Sequence, residues 1–249
     1  MNATCDDCVL FEWMEVVSDM NMKTVLKDTL PPVLLRGLKQ IKRRVQANSR
    51  AGAKAGSQEL DIYWDPAMAA ALETWGVGNA WNEIQLLLLN ARGTVLDIAC
   101  GTGKVISLLQ DLKDIEVHGC DISDFLLTKA TERGIAKERL TCCDATALPY
   151  PAGHFDFAYS IGSLEHFTEE GIHAFLQECR KVVTKRSFHM IPVSRSQKNE
   201  GWISPWQSYF NNSTDWWVAN CRKTFSRVTV LDSAWQDEVS TGKWLICED

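Results

Sequence analysis

The strongest constraint on the fold of this chain is a change of pattern near residue 94. From there, short apolar runs rich in β-branched residues alternate with segments of helical spacing. Residues 94–99 read as a buried strand, Gly101-Thr102-Gly103 as a turn and 104–112 as a helix. Residues 116–120, 139–143, 155–160 and 187–193 read as four further strands. Between them, Ser123 can cap a helix that Gly134 can end, and 171–183 carries apolar residues at helical spacing. Strands alternating with helices predict a parallel sheet covered on both faces.

The ends of the chain follow other rules. Residues 1–30 show no clear period. Pro31-Pro32 opens a predicted helix over 32–45, with apolar residues on one face and basic residues on the other. Residues 50–58 read as a flexible joint, and two more helices are predicted over 65–75 and 81–90. In the tail, Ser213 or Thr214 can cap a helix through Trp216, Trp217 and Cys221. Residues 227–235 and 242–247 then read as two strands forming an antiparallel pair on one sheet edge. The expected division is an extension over 1–59 and a main domain over 60–249, with aromatic-rich cap segments at 60–90 and 196–225.

Three strand ends in succession carry groups suited to a nucleoside-containing ligand. Asp97 closes the first strand, ahead of a small-residue turn through Ala99, Gly101 and Gly103. Small residues let backbone approach a ligand, and the following helix start offers N–H donors. Asp121 ends the second strand and is placed to accept hydrogen bonds from ribose hydroxyls. Asp144-Ala145 follows the third, where an acid and a backbone N–H can read an adenine edge. A nicotinamide dinucleotide fits less well, because the third glycine of its fingerprint is replaced by Ile106.

These residues, with Leu148-Pro149-Tyr150-Pro151, Phe155-Asp156 and Ser163-Leu164-Glu165-His166-Phe167, resemble class I S-adenosylmethionine-dependent methyltransferases of the type 11 small-molecule group. The resemblance implies an α/β, Rossmann-like, seven-stranded, mostly parallel sheet with a C-terminal antiparallel hairpin, here with an N-terminal helical cap. It implies that the 97–103 loop holds the methionine end of S-adenosylmethionine, Asp121 the ribose, and Asp144 with Ala145 the adenine. Ile122 and Ser160 complete the expected cofactor-binding set. One departure is Val183-Thr184-Lys185-Arg186, where the family usually carries a Lys-Pro-Gly-Gly turn before the fifth strand. His166 follows the fourth strand and is the candidate base for a hydroxyl acceptor.

Composition bears on the acceptor. The ten Trp lie at 13, 64, 75, 81, 202, 206, 216, 217, 235 and 244, leaving the predicted cofactor core without any. Aromatic faces stack on sugars, so a small-molecule, sugar or lipid-linked glycan acceptor is expected, with O-methylation as the reaction. Residues 31–58 carry +7 and no acid, so the net charge of −6 leaves −13 on the rest. That body is a poor match for a nucleic-acid backbone, and nucleic acid is not an expected partner. The basic helix 32–45 could contact an anionic membrane surface. Nine Cys and no export signal fit reduced thiols in a cytoplasmic chain. Cys5-x-x-Cys8 lacks a second ligand pair, so no metal is expected. The alternative reading is a protein of the same fold that binds the cofactor without transferring methyl and serves as a partner or regulator.

Overall fold

The computed structural model describes residues 58–204 and 207–249. The predicted helix 32–45, Cys5, Cys8, Trp13, Trp206 and most of the 1–59 extension lie outside the described residues. Residues 58–249 fall within one compact unit, Ala53–Asp249.

The unit is built on a seven-stranded sheet. Its strands are β1 (Gly93–Ile98), β2 (Ile115–Asp121), β3 (Leu140–Cys142), β4 (Phe155–Ile161), β5 (Val183–Ser194), β8 (Arg227–Gln236) and β9 (Ser240–Glu248), in the order β3-β2-β1-β4-β5-β9-β8. The first five run parallel, and β9 returns antiparallel to both β5 and β8. The order reverses beside β1, which opens a crevice at the carboxyl ends of β1, β2 and β4. A separate two-stranded ladder, β6 (Trp202–Ile203) with β7 (Tyr209–Phe210), lies in the expected cap segment and was not legible as strands.

Helices cover both faces. On one side are α2 (Ala80–Leu87), α3 (Lys104–Leu109) and α4 (Asp124–Glu132), whose Ile84, Ile106 and Leu127 join one core cluster. On the other are α5 (Glu169–Val182) and α6 (Thr214–Cys221), with Phe175, Leu176 and Trp217 in a second. In α5 the buried residues Ile172, Phe175, Leu176, Cys179 and Val182 recur at helical spacing. Each such side chain contributes about 1.5–3 kcal/mol on burial. Thr168 caps that helix by accepting from the Gly171 N–H, with acids in its first turn and basic residues in its last. Ser123 and Ser213 cap α4 and α6 as the sequence suggested.

Two departures have physical causes. The fifth strand begins at Val183, four residues before expectation, because α5 runs into it with no intervening turn. The missing Lys-Pro-Gly-Gly turn is therefore replaced by extended backbone that pairs with β4 through a bulge between Phe155 and Phe157. The aromatic residues also divide differently. Trp217 and Trp244 are fully buried core residues, so they do not belong to a cap. Trp244 Nε1 donates to Glu83 Oε2 at 2.7 Å, which ties β9 to α2.

Candidate active site

The crevice at the strand ends is a cleft enclosing about 1010 Å³ of space continuous with solvent. Asp97, Ala99, Gly101, Asp121, Ile122, Asp144, Ala145 and His166, all expected site residues, line it. The cap contributes Tyr63 of a short 3-10 turn (Asp61–Trp64), Met68 of α1 (Pro66–Ala71), and Leu72, Trp75 and Trp81.

The floor is set by the β1–α3 turn. Ala99 (φ 61°), Gly101 (φ 54°) and Gly103 (φ 68°) all adopt the left-handed region. Glycine takes that conformation without strain, whereas Ala99 takes it against its own Cβ. Such strain at a strand end is held by surrounding structure and concentrates at ligand sites. Gly103 has a different task from the expected one. It does not line the cleft; a Cβ there would stand 2.3 Å from Ile135 Cδ1 and 2.9 Å from Ala130 Cβ. Its small size seats the turn against the end of α4.

Asp97 and Asp121 are both buried carboxylates. Register places Asp97 opposite Gly119 on β2 and Tyr159 on β4. The Tyr159 hydroxyl donates to Asp97 Oδ2 at 2.8 Å. Burial pushes the Asp97 pKa well above the carboxylate range, against that hydrogen bond and with the nearby Asp121 charge. Asp121 Oδ2 accepts from the Gly101 N–H at 2.8 Å and Oδ1 from the Ser123 N–H at 2.9 Å. Burial raises its pKa as well, and these N–H donors oppose the rise. Each carboxylate oxygen accepts more than one hydrogen bond, so a fixed Asp121 retains capacity for two ribose hydroxyls. Asp144 is held in an Asx turn, with Oδ1 accepting from the Thr146 N–H at 2.8 Å and its hydroxyl at 2.7 Å. The donor set therefore fits an adenosine-containing cofactor.

Ser160 is a correction. It is fully buried, and its Oγ lies 2.9 Å from His189 Nδ1 beneath the sheet. Alternation along β4 sends Ser160 and Tyr159 to opposite faces. The cleft is lined instead by Ile161, Gly162 and Ser163, just beyond the strand.

His166 sits in a 3-10 turn, Leu164–His166, beside the cap. Its Nδ1 lies 2.8 Å from the Ser208 carbonyl, which can only accept, so Nδ1 carries the proton and Nε2 is the free base. Burial lowers its pKa to about 4, opposed by the Ser208 carbonyl and the charge of Glu59. Glu165 Oε1 lies 3.7 Å from Nε2, beyond hydrogen-bond reach. Burial raises the Glu165 pKa to about 8, and its Oε2 has no hydrogen-bond partner among the described residues. Both groups are neutral near pH 7.

A second cap segment closes over this end. Gln207 Nε2 donates to the Tyr63 hydroxyl at 2.8 Å, and Ser208 Oγ donates to Glu59 Oε1 at 3.0 Å. Gln207, Gln58 and Lys104 line the cleft and were not singled out in the sequence. They have no motif, and the fold alone brings them in. Of the aromatic residues expected here, Tyr63, Trp75 and Trp81 line the cleft. Trp216 instead packs on Phe210, with ring centroids 5.4 Å apart, and Trp202 packs on the same ring at 4.8 Å.

Residues 95–186 match the family model described as a methyltransferase domain. The chain is 39% identical over 100 residues to the tRNA (carboxymethyluridine(34)-5-O)-methyltransferase of Xenopus tropicalis, covering 40% of this chain and 15% of that protein. It is 30% identical over 123 residues to the 27-O-demethylrifamycin SV methyltransferase of Amycolatopsis mediterranei, covering 47% and 44% respectively. The chain thus spans less than half the length of these curated relatives. Among solved structures, the Burkholderia thailandensis 1,6-didemethyltoxoflavin-N1-methyltransferase, crystallised with S-adenosylhomocysteine, shares the fold. Its TM-score is 0.58 at 15% identity, over 76% of this chain and 85% of that one. One of these relatives is named for tRNA and another for a small molecule, so kinship does not select the acceptor. The expected exclusion of nucleic acid finds no support in it. Residues 95–186 thus match a methyltransferase domain, and they sit in a Rossmann-like seven-stranded sheet whose strand ends carry the site carboxylates.

Proposed function

We propose that residues 60–249 form a methyltransferase domain that methylates a hydroxyl of an uncharged small molecule or saccharide. The observation that carries this reading is the chemistry of the cleft beyond the carboxylates. There the described lining is aromatic and apolar (Trp75, Trp81, Met68, Phe167), with neutral hydrogen-bonding groups from Tyr63, Ser163, His166 and Gln207. Lys104 is the one cation among the described lining residues. Its Nζ lies 5.9 Å from the Trp81 ring centroid, a cation–π contact. A phosphate-bearing acceptor calls for several cations, whereas aromatic faces with amides and hydroxyls suit a neutral polyol.

S-adenosylmethionine supplies an electrophilic methyl group when bound, through its sulfonium. Asp121 would hold the ribose, Asp144 and Ala145 the adenine, and the turn through Ala99 and Gly101 the methionine end. The roof of Tyr63, Trp75 and Gln207 aligns the acceptor and excludes water. The acceptor oxygen would gain its bond to the methyl carbon as the bond from that carbon to sulfur breaks, leaving S-adenosylhomocysteine, while the hydroxyl proton would pass to His166 Nε2, the nitrogen left unprotonated by the Ser208 contact.

The test is transfer of labelled methyl into four separate pools: hydroxylated small molecules, free glycans, lipid-linked glycans and bulk tRNA. Label in either of the first two, with release of S-adenosylhomocysteine, is the expected outcome. Label confined to tRNA or to a charged lipid overturns the acceptor class. Binding of S-adenosylmethionine with no transfer into any pool favours the non-catalytic alternative.

A further inference from the structure

The cap segment and the cofactor turn meet at one buried residue, Thr102, which is 2% exposed. Glu73 Oε1, from just beyond α1, accepts from Thr102 Oγ1 at 2.7 Å and also pairs with the Arg133 guanidinium. Arg133 Nε in turn donates to the Thr102 carbonyl at 3.0 Å. Thr102 is therefore gripped through its side chain by the cap and through its main chain by the C-cap residue of α4. Partial burial opposes ionisation of Glu73, but the Thr102 and Arg133 hydrogen bonds outweigh it and hold its pKa below the ordinary value.

The same cap segment is fastened at its other end. Ser123 Oγ donates to the Tyr63 carbonyl at 2.8 Å, and Trp64 Nε1 donates to Asp124 Oδ1 at 2.8 Å. Between the two anchors, Leu72 Cδ1 lies 3.1 Å from where a Cβ on Gly101 would stand. Residues 63–73 thus form a strap across the ends of β1 and β2, tied to the start of α4 at one end and to its close at the other. The Glu73 and Arg133 side chains are 34% and 23% exposed, so their pair adds little to global stability. Its effect is local, on the position of a turn that lines the cleft.

We propose that Glu73 and Arg133 are positioning residues that latch this strap onto Thr102 and so set how long the cofactor stays in the cleft. The proposal rests on the reading that the cofactor occupies this cleft. The latch contributes neither proton nor methyl. Opening it frees the 101–103 turn and the Leu72 edge of the roof together, which speeds escape of a bound ligand.

The experiment is stopped-flow displacement of S-adenosylhomocysteine from the full chain, followed by the change in intrinsic tryptophan fluorescence, to which the cleft residues Trp75 and Trp81 contribute. Glu73→Gln and Arg133→Gln should each raise the dissociation rate roughly three- to tenfold, the double variant no further than either single one. Added salt should speed release from the wild type and not from the variants. The melting temperature of the ligand-free protein should stay within about 2 °C. Thr102→Val, which replaces the hydroxyl by a methyl and leaves the Glu73–Arg133 pair in place, repeats the test if a charge variant folds poorly. An unchanged dissociation rate, or a rate that rises only in proportion to lost ligand-free stability, overturns the latch. Undiminished binding in Asp121→Ala overturns the placement of the cofactor instead, and the latch falls with it.

Discussion

The Tyr159 hydroxyl and the Asp97 carboxyl meet at 2.8 Å between adjacent parallel strands, both buried. Removing the donor leaves a buried carboxyl without that partner. Tyr159→Phe should destabilise the fold by about 1–3 kcal/mol, the cost of orphaning a buried polar group. Urea denaturation measures it. A midpoint equal to the wild type's would mean that Asp97 finds another partner.

Asp121 is fixed by two N–H donors and Asp144 by Thr146, yet the first is buried and the second exposed. Asp121→Ala should weaken S-adenosylmethionine binding by about 1.5–3 kcal/mol, the range for hydrogen bonds to a charged group. Asp144→Ala should cost less, because water competes at its position. Titration calorimetry on both variants gives the order, and the reverse order would reassign the ribose contact.

His166 is held neutral, with its pKa lowered to about 4 by burial. It remains a proton acceptor at every pH above that value. The acid limb of kcat/KM should then fall well below 6.5, and His166→Ala should lower kcat by about 10²–10⁴-fold with little change in cofactor Kd. A limb near 6.5, or unchanged turnover in the variant, removes His166 from the chemistry.

Glu165 gives a stability signature with a definite sign. Its folded pKa is raised from 4.5 to about 8, so between those values the folded state keeps a proton that the unfolded chain has lost. Stability from this group is full below about pH 4.5 and declines as pH rises to about 8. His166 and His189, both lowered from 6.5 to about 4, act in the opposite sense and only below about 6.5. Above about 6.5 the histidines drop out, and the buried carboxyls, whose pKa values are raised, act in one sense, Asp97 and Asp121 alongside Glu165. Melting temperature should fall between about pH 6.5 and 8 in the wild type and fall less steeply in Glu165→Gln. Equal slopes in the two proteins would refute the buried acid.

Much of this was legible in the sequence because period and punctuation state it. Ser123 and Ser213 cap where they should, and the strand ends at Asp97 and Asp121 fall where the apolar runs stop. Ser160 was misread because the side-chain period of a strand leaves the choice of face to its neighbours, and here it points to His189. Gly103 stands in the turn as expected, and its want of a Cβ is also required by Ile135 and Ala130, contacts between distant segments that leave no local signal. Gln207, Glu73 and Arg133 were invisible, because hydrogen bonds between distant segments leave no local pattern.

The bond from Gln207 to Tyr63 joins residues 144 apart in sequence, and that from Ser208 to Glu59 joins residues 149 apart. Contacts of such separation carry a large loop-closure cost and require the whole intervening chain. A nascent chain emerging from the ribosome would hold the floor of the site, strands β1 to β4, with Tyr63 and Trp75 already made, before Gln207 could complete the roof. Capacity to meet the cofactor and capacity to shelter a reaction are thus acquired at different moments in the birth of the molecule.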